Sequence, residues 1–116
     1  MDMETIQPYL LPAGVIAFLL YRYFRFRAAR ARLPELAAAG AVFVDVRSPG
    51  EFAAGNKPGS LNIPLDVLAS QAGKLDKNKP VVLSCASGAR SGVGVGILKG
   101  LGFRNVTNAG PWQNTL

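Results

Sequence analysis

The chain changes character along its length in the spacing of its apolar positions. From Thr5 to Tyr21, seventeen consecutive residues, TIQPYLLPAGVIAFLLY, carry no charge. The run predicts a helix spanning about 25 Å, slightly short of the roughly 30 Å hydrocarbon core of a bilayer. Its flanks extend it, because Arg22 can snorkel and Tyr9, Tyr21, Tyr23, Phe24 and Phe26 are types that settle at interfaces. From Leu33 onward the pattern becomes one of short apolar runs between helical segments. LPELAAAG reads as a short helix with Pro34 in its first turn and Gly40 as its stop. AVFVDV reads as a buried strand, SPGEFAAG as a turn into a short helix, and SLNIP as a brief extended piece. LDVLASQAGKL has helical spacing, PVVLSC is a strand, SGVGVGILKGLG a helix and FRNVTN a last strand.

Alternating strands and helices at this spacing predict an α/β fold, an open parallel sheet flanked by helices and preceded by the N-terminal hydrophobic helix. The division expected is 1–32 for a transmembrane helix with its basic juxtamembrane segment, a helix lying in the interface or packed on the domain being the alternatives, and 33–116 for the globular domain. Right-handed crossovers put every strand's carboxyl end on one edge, where ligand sites of such sheets lie. Cys85 falls at one such end, and Asp45 and Arg47 at another.

Charge sharpens the first part of this picture. Thirteen basic residues against seven acidic ones give a formal net charge of +6, but Arg22, Arg25, Arg27, Arg30 and Arg32 all fall within eleven residues just after the apolar run. Asp2 and Glu4 precede it. The positive-inside rule then places the amino terminus outside and the globular domain in the cytoplasm. The basic residues follow the apolar stretch, which argues against a cleaved signal peptide, and the cluster suits anionic lipid headgroups instead of nucleic acid.

Composition also removes chemistry. The chain has one cysteine and no histidine. It therefore has no internal disulfide, multi-thiolate zinc site, Cys–His pair, Ser–His–Asp triad or His-ligated metal. What remains is Cys85, at the exit of an apolar run, followed by Ala86, Ser87, Gly88, Ala89, Arg90 and Ser91. Small residues allow a loop to curl so that its N–H groups point inward as an anion-binding nest, with a helix amino terminus behind it. Gly88 can take a positive φ, and Ser91 is a natural N-cap. An unperturbed thiol is only about 3% ionised near neutral pH, and such a field raises that fraction roughly twentyfold.

DVRSPGEFAAG, GSLNIP, PVVLSCASGARS and ILKGLGFRNV, in this order, resemble the single-domain rhodaneses, the thiosulfate/persulfide sulfurtransferase family, over about Leu33 to Trp112. The resemblance implies that Cys85 takes a sulfane sulfur from a small donor, becomes a persulfide held by the amides of Ala86 to Arg90, and passes the sulfur to a thiol or cyanide. It implies no metal or organic cofactor, and it allows a protein donor or acceptor. Arg90 matches a loop position that helps bind an anionic donor. Asp45 and Arg47 match the family's Asp-Val-Arg signature, as residues that organise the site. The chain departs from the pattern at Asn56-Lys57, where the family usually has His-Ile, and in ending with NAGPWQ in place of a double glycine.

Two rival functions fit parts of the pattern. A cysteine phosphatase or arsenate reductase has five residues between Cys and Arg, whereas this loop has four and is cramped for a tetrahedral phosphate. A catalytically silent, membrane-tethered binding module could use the same fold to recognise a partner. Glu51 is expected in an ion pair or on the surface, and Trp112 in packing.

Overall fold

The computed structural model describes residues 2–116. Its centre is β3 (Val81–Cys85), whose five residues are all buried. A continuous apolar strand of this kind must be covered on both faces and paired on both sides. β1 (Val42–Asp45) lies on one side and β4 (Val106–Pro111) on the other, with β2 (Leu61–Asn62) beyond β1. All three pairings are parallel, giving the order β2-β1-β3-β4.

Alternate residues of the strands face opposite layers. Val44, Val81 and Leu83 pack with Leu68 of α3 (Leu65–Gln71) and Leu98 of α4 (Ala89–Gly100), all wholly buried. On the other face Val82 and Ala109 meet Leu33 and Leu36 of α1 (Met3–Ala38). The short α2 (Pro49–Ala54) links β1 to β2, and 3-10 turns follow α3 and β4. The α/β architecture expected from the alternation is thus present, with helices on both faces of a parallel sheet.

α4 comes close to the sheet because of one glycine. A methyl group at Gly94 would sit 2.9 Å from Leu83 Cδ1 and 3.2 Å from Leu68 Cδ2, whereas one at Gly96 would meet nothing within 4 Å. Gly94 is a packing requirement and Gly96 is not.

The structure differs from the expected short helix beginning at Leu33. α1 is one uninterrupted helix of 36 residues that passes through Pro8, Pro12 and Pro34. Pro34 lies on the exposed side, where losing one backbone donor leaves a carbonyl that water reaches. The anchoring contacts of Leu33 and Leu36 therefore continue without a break into the apolar stretch. That stretch projects from the domain with its side chains exposed, Leu11 at 78% and Tyr9 at 70%. By length and composition α1 is able to cross a membrane.

Candidate active site

Cys85 ends β3, and the backbone turns at once. Ala86 and Ser87 form the turn, and Gly88 takes φ 97°, a left-handed conformation open to glycine at little cost. Gly88 serves as the N-cap of α4, so the helix starts at Ala89. This corrects the expectation that Ser91 caps it. Because the helix begins earlier, Ser91 lies inside the first turn, fully buried and facing the sulfur.

The curl does aim donors at Cys85. The Gly88 N–H donates to Sγ at 2.9 Å, and Ser91 Oγ lies 3.3 Å from Sγ. Burial pushes the thiol up, but the Ser91 hydroxyl and the amides of Ser91, Ser87 and Gly88 favour the thiolate more, leaving Cys85 below its ordinary value. The residue is wholly buried within the apolar cluster under the sheet, and the Gly88 amide and Ser91 hydroxyl are the polar groups that reach its sulfur.

Asn108 of β4, absent from the sequence reading, holds this arrangement. Its Nδ2 donates to the Gly88 carbonyl at 3.0 Å, while its Oδ1 accepts from Ser91 Oγ at 2.7 Å and from Gly110 N at 2.9 Å. A register shift between β3 and β4 makes room for it, since Leu83 faces Asn108 but Cys85 faces Pro111. Gly110, at φ 79°, absorbs the extra residue. A polar residue in an otherwise buried strand was the available sign of Asn108's role.

Arg90, at the start of α4 beside the Cys85 loop, is paired with a carboxylate. Its guanidinium makes a two-pronged pair with Glu51, at 2.7 and 2.9 Å, the ion pair expected for Glu51. The reason is local, because Ser48 and Glu51 form a capping box at the start of α2 that sets the carboxylate within Arg90's reach. Arg90 beside it, with help from Ser48, holds Glu51 down to about 2.

Asp45 and Arg47 are both buried and bound to each other, with Arg47 Nη2 to Asp45 Oδ2 at 2.7 Å. The same guanidinium donates to the carbonyls of Gly55, at 2.6 Å, and Glu51, and stacks 4.9 Å from the Trp112 ring. The pair thus ties β1, α2 and the chain after β4 together and makes no hydrogen bond to the sulfur. Trp112, expected in packing, lies against this guanidinium and Gly55.

α1 also reaches the loop, through Arg22 and Phe26. Arg22 donates to the Ser87 carbonyl and stacks over Phe26, whose ring lies directly on Gly88 and Gly110. The ring occupies the space that a side chain at either glycine would fill. Nothing in the period of the arginine-rich stretch marks Phe26 as a loop contact.

Comparison with known proteins agrees with this geometry. The model of the rhodanese-like domain matches residues 29–109. A sulfurtransferase of Allochromatium vinosum is 34% identical over 67 residues, an overlap covering 58% of this chain and 63% of that protein's length. Among solved structures, a rhodanese-related protein of Thermoplasma volcanium superposes with a TM-score of 0.65 at 34% identity, over 74% of this chain and 85% of that one. A human single-domain sulfurtransferase gives 0.63 at 33% identity, over 72% and 88%. With its parallel sheet and a lone cysteine curled beneath loop amides, the chain belongs to the rhodanese-like family.

Proposed function

We propose that this protein is a sulfurtransferase whose nucleophile is Cys85, carried at a membrane by the apolar part of α1. The thiolate attacks the sulfane sulfur of thiosulfate or a persulfide. A new S–S bond forms on Cys85 as the donor's S–S bond breaks, and sulfite or a thiolate leaves with the electron pair. A thiol or cyanide acceptor then attacks the outer sulfur and releases Cys85 as a thiolate. The amides of Ala86 to Arg90 hold the persulfide, and Ser91 supports the charge. Asp45 and Arg47 organise the site, and Arg90 stiffens the loop through Glu51. Residues 1–32 form the anchor and basic flank, with the amino terminus outside and residues 33–116 on the cytoplasmic side, as the arginine cluster favours.

The observation that carries this reading is the Gly88 N–H pointing at Sγ from 2.9 Å, backed by the Ser91 hydroxyl. In the test, full-length protein is treated with thiosulfate and Cys85 is examined by mass spectrometry. The expected result is a gain of about 32 Da, one sulfur atom, removable by cyanide or dithiothreitol and absent in Cys85→Ala.

The complete burial of Cys85 favours a second reading, a binding module that keeps the fold without turnover. It would show no cysteine-dependent adduct with any donor.

A further inference from the structure

α1 fixes which edge of the sheet lies nearest the apolar stretch. Leu36 packs near the strand starts, where its carbonyl accepts from Ala41 N, and Phe26 packs at the strand ends, on Gly88 and Gly110. Ten helical residues rise about 15 Å, close to the length of a five-residue strand. The helix therefore runs antiparallel to the strands, crosses the sheet once and leaves it at the edge that carries Cys85. Residues Thr5–Tyr21 continue beyond that same edge, giving a molecule 56 Å long and 29 Å across. No break in α1 allows the domain to turn its other edge toward them.

The level of the loop follows. Arg22 is the first charged residue after the apolar run, and its guanidinium binds the Ser87 carbonyl. On either side of this contact lies a groove between α1 and the domain. One, of about 460 Å³, is lined by Phe18, Arg25 and Phe26 together with Ala89 and Val93. The other, of about 610 Å³, includes Arg30. Among the described residues the ion pairs are Arg47 with Asp45 and Arg90 with Glu51, so Arg25 and Arg30 have no carboxylate partner. Val93 and Phe18 are 57% and 60% exposed. Arg25, unpaired between exposed apolar side chains about one helical turn past the uncharged run, with Arg30 further along the same helix, matches an anionic headgroup above an acyl chain.

The geometry points to the Cys85 edge of the sheet facing the bilayer, with the groove beside Arg25 seating the phosphate headgroup of an anionic phospholipid. This rests on the reading of Thr5–Tyr21 as a membrane span. Sulfur donors and acceptors would then reach the loop through the headgroup layer, so the site suits molecules that partition there.

Trp112, the chain's one tryptophan, follows β4 at this edge and reports on it. Full-length protein is placed in vesicles of phosphatidylcholine and phosphatidylglycerol, and Trp112 emission is followed with nitroxide-labelled headgroups present. A second variant, Trp112→Phe with Asn78→Trp, moves the reporter to the exposed turn before β3, at the opposite edge. The expected result is a large loss of Trp112 emission, little loss from Asn78→Trp, and a smaller Trp112 loss once phosphatidylglycerol is replaced or Arg25→Gln and Arg30→Gln are introduced. Protein that fails to float with the vesicles overturns the anchor reading and this inference with it. Protein that floats with Trp112 unquenched, or with Asn78→Trp quenched as strongly, overturns the edge assignment alone. Quenching indifferent to phosphatidylglycerol and to the arginine changes overturns the headgroup seat.

Discussion

Replacing Ser91 by alanine tests how the site holds a negative charge without histidine. With Cys85 as a thiol, the Ser91 hydroxyl donates to Asn108 Oδ1 at 2.7 Å, and its oxygen faces Sγ. When Cys85 ionises, the single hydroxyl hydrogen turns to the sulfur, and Oδ1 keeps the Gly110 N–H at 2.9 Å. Ser91 therefore contributes the difference between two acceptors. A hydrogen bond to a charged group is worth about 1.5–3 kcal/mol and a neutral one about 0.5–1.5 kcal/mol. The difference of about 1–1.5 kcal/mol corresponds to roughly tenfold in thiolate population below the titration midpoint. Alkylation of Cys85 by iodoacetamide, followed by mass between about pH 5 and 10, reads that population directly. Well below the titration midpoint Ser91→Ala should react about tenfold more slowly, then match or slightly exceed wild type on the alkaline plateau, because a more basic thiolate is intrinsically more nucleophilic. An equal slowing at every pH would refute this account, since it would mean that Ser91 governs access or folding instead of charge.

The other expectations concern access, packing and pH. Phe26→Ala removes the ring resting on Gly88 and Gly110 and should speed alkylation of Cys85 at fixed pH; an unchanged rate would mean that reagents reach the sulfur by another route. Asp45→Asn leaves the buried Arg47 guanidinium without its counter-charge, which should cost about 3–5 kcal/mol, read as a lower thermal midpoint in detergent. Gly94→Ala gains helix propensity of about 1 kcal/mol but pushes a methyl into Leu83 and Leu68 at an overpacking cost of about 1–3 kcal/mol, so it should destabilise. Gly96→Ala meets nothing and should stabilise by about 0.4–1 kcal/mol, measured by the same melt. Glu51, held at about 2 against an ordinary 4.5, adds stability that is complete above pH 4.5 and lost as pH falls through 2; Glu51→Gln should flatten that part of the acid melting profile.

These tests fall on residues of unequal visibility in the sequence. The strands β1 and β3 were legible because unbroken apolar runs of that length have few other uses, and Cys85 was legible as the point where one run stops; the mixed FRNVTN marked β4 only at its start, since the strand runs Val106–Pro111. Gly88 followed from the need for a positive φ in a tight loop. Local rules misplaced Ser91, however. Serine is a good N-cap, but Gly88 opened α4 three residues earlier and turned the same hydroxyl inward onto the sulfur. The partner of Arg90 was likewise set by a distant event, the capping box that positions Glu51 thirty-nine residues away in sequence. Asn108 depends on a register shift in β4, which no periodicity announces.

The separate helix expected to begin at Leu33 is absent for a more informative reason. Sequence reading treats proline as punctuation, and Pro34 stands where a new helix could begin. On an exposed helix face the lost donor costs little, while the burial of Leu33 and Leu36 against Val82 and Ala109 rewards a helix that simply continues. That continuity places Arg22 and Phe26 on the Cys85 loop. A flexible joint at residue 32 would leave those contacts to chance; the continuous helix fixes them, with the Phe26 ring on Gly88, whose amide faces the sulfur. The helix that carries the apolar stretch is therefore also the helix that touches the Cys85 loop.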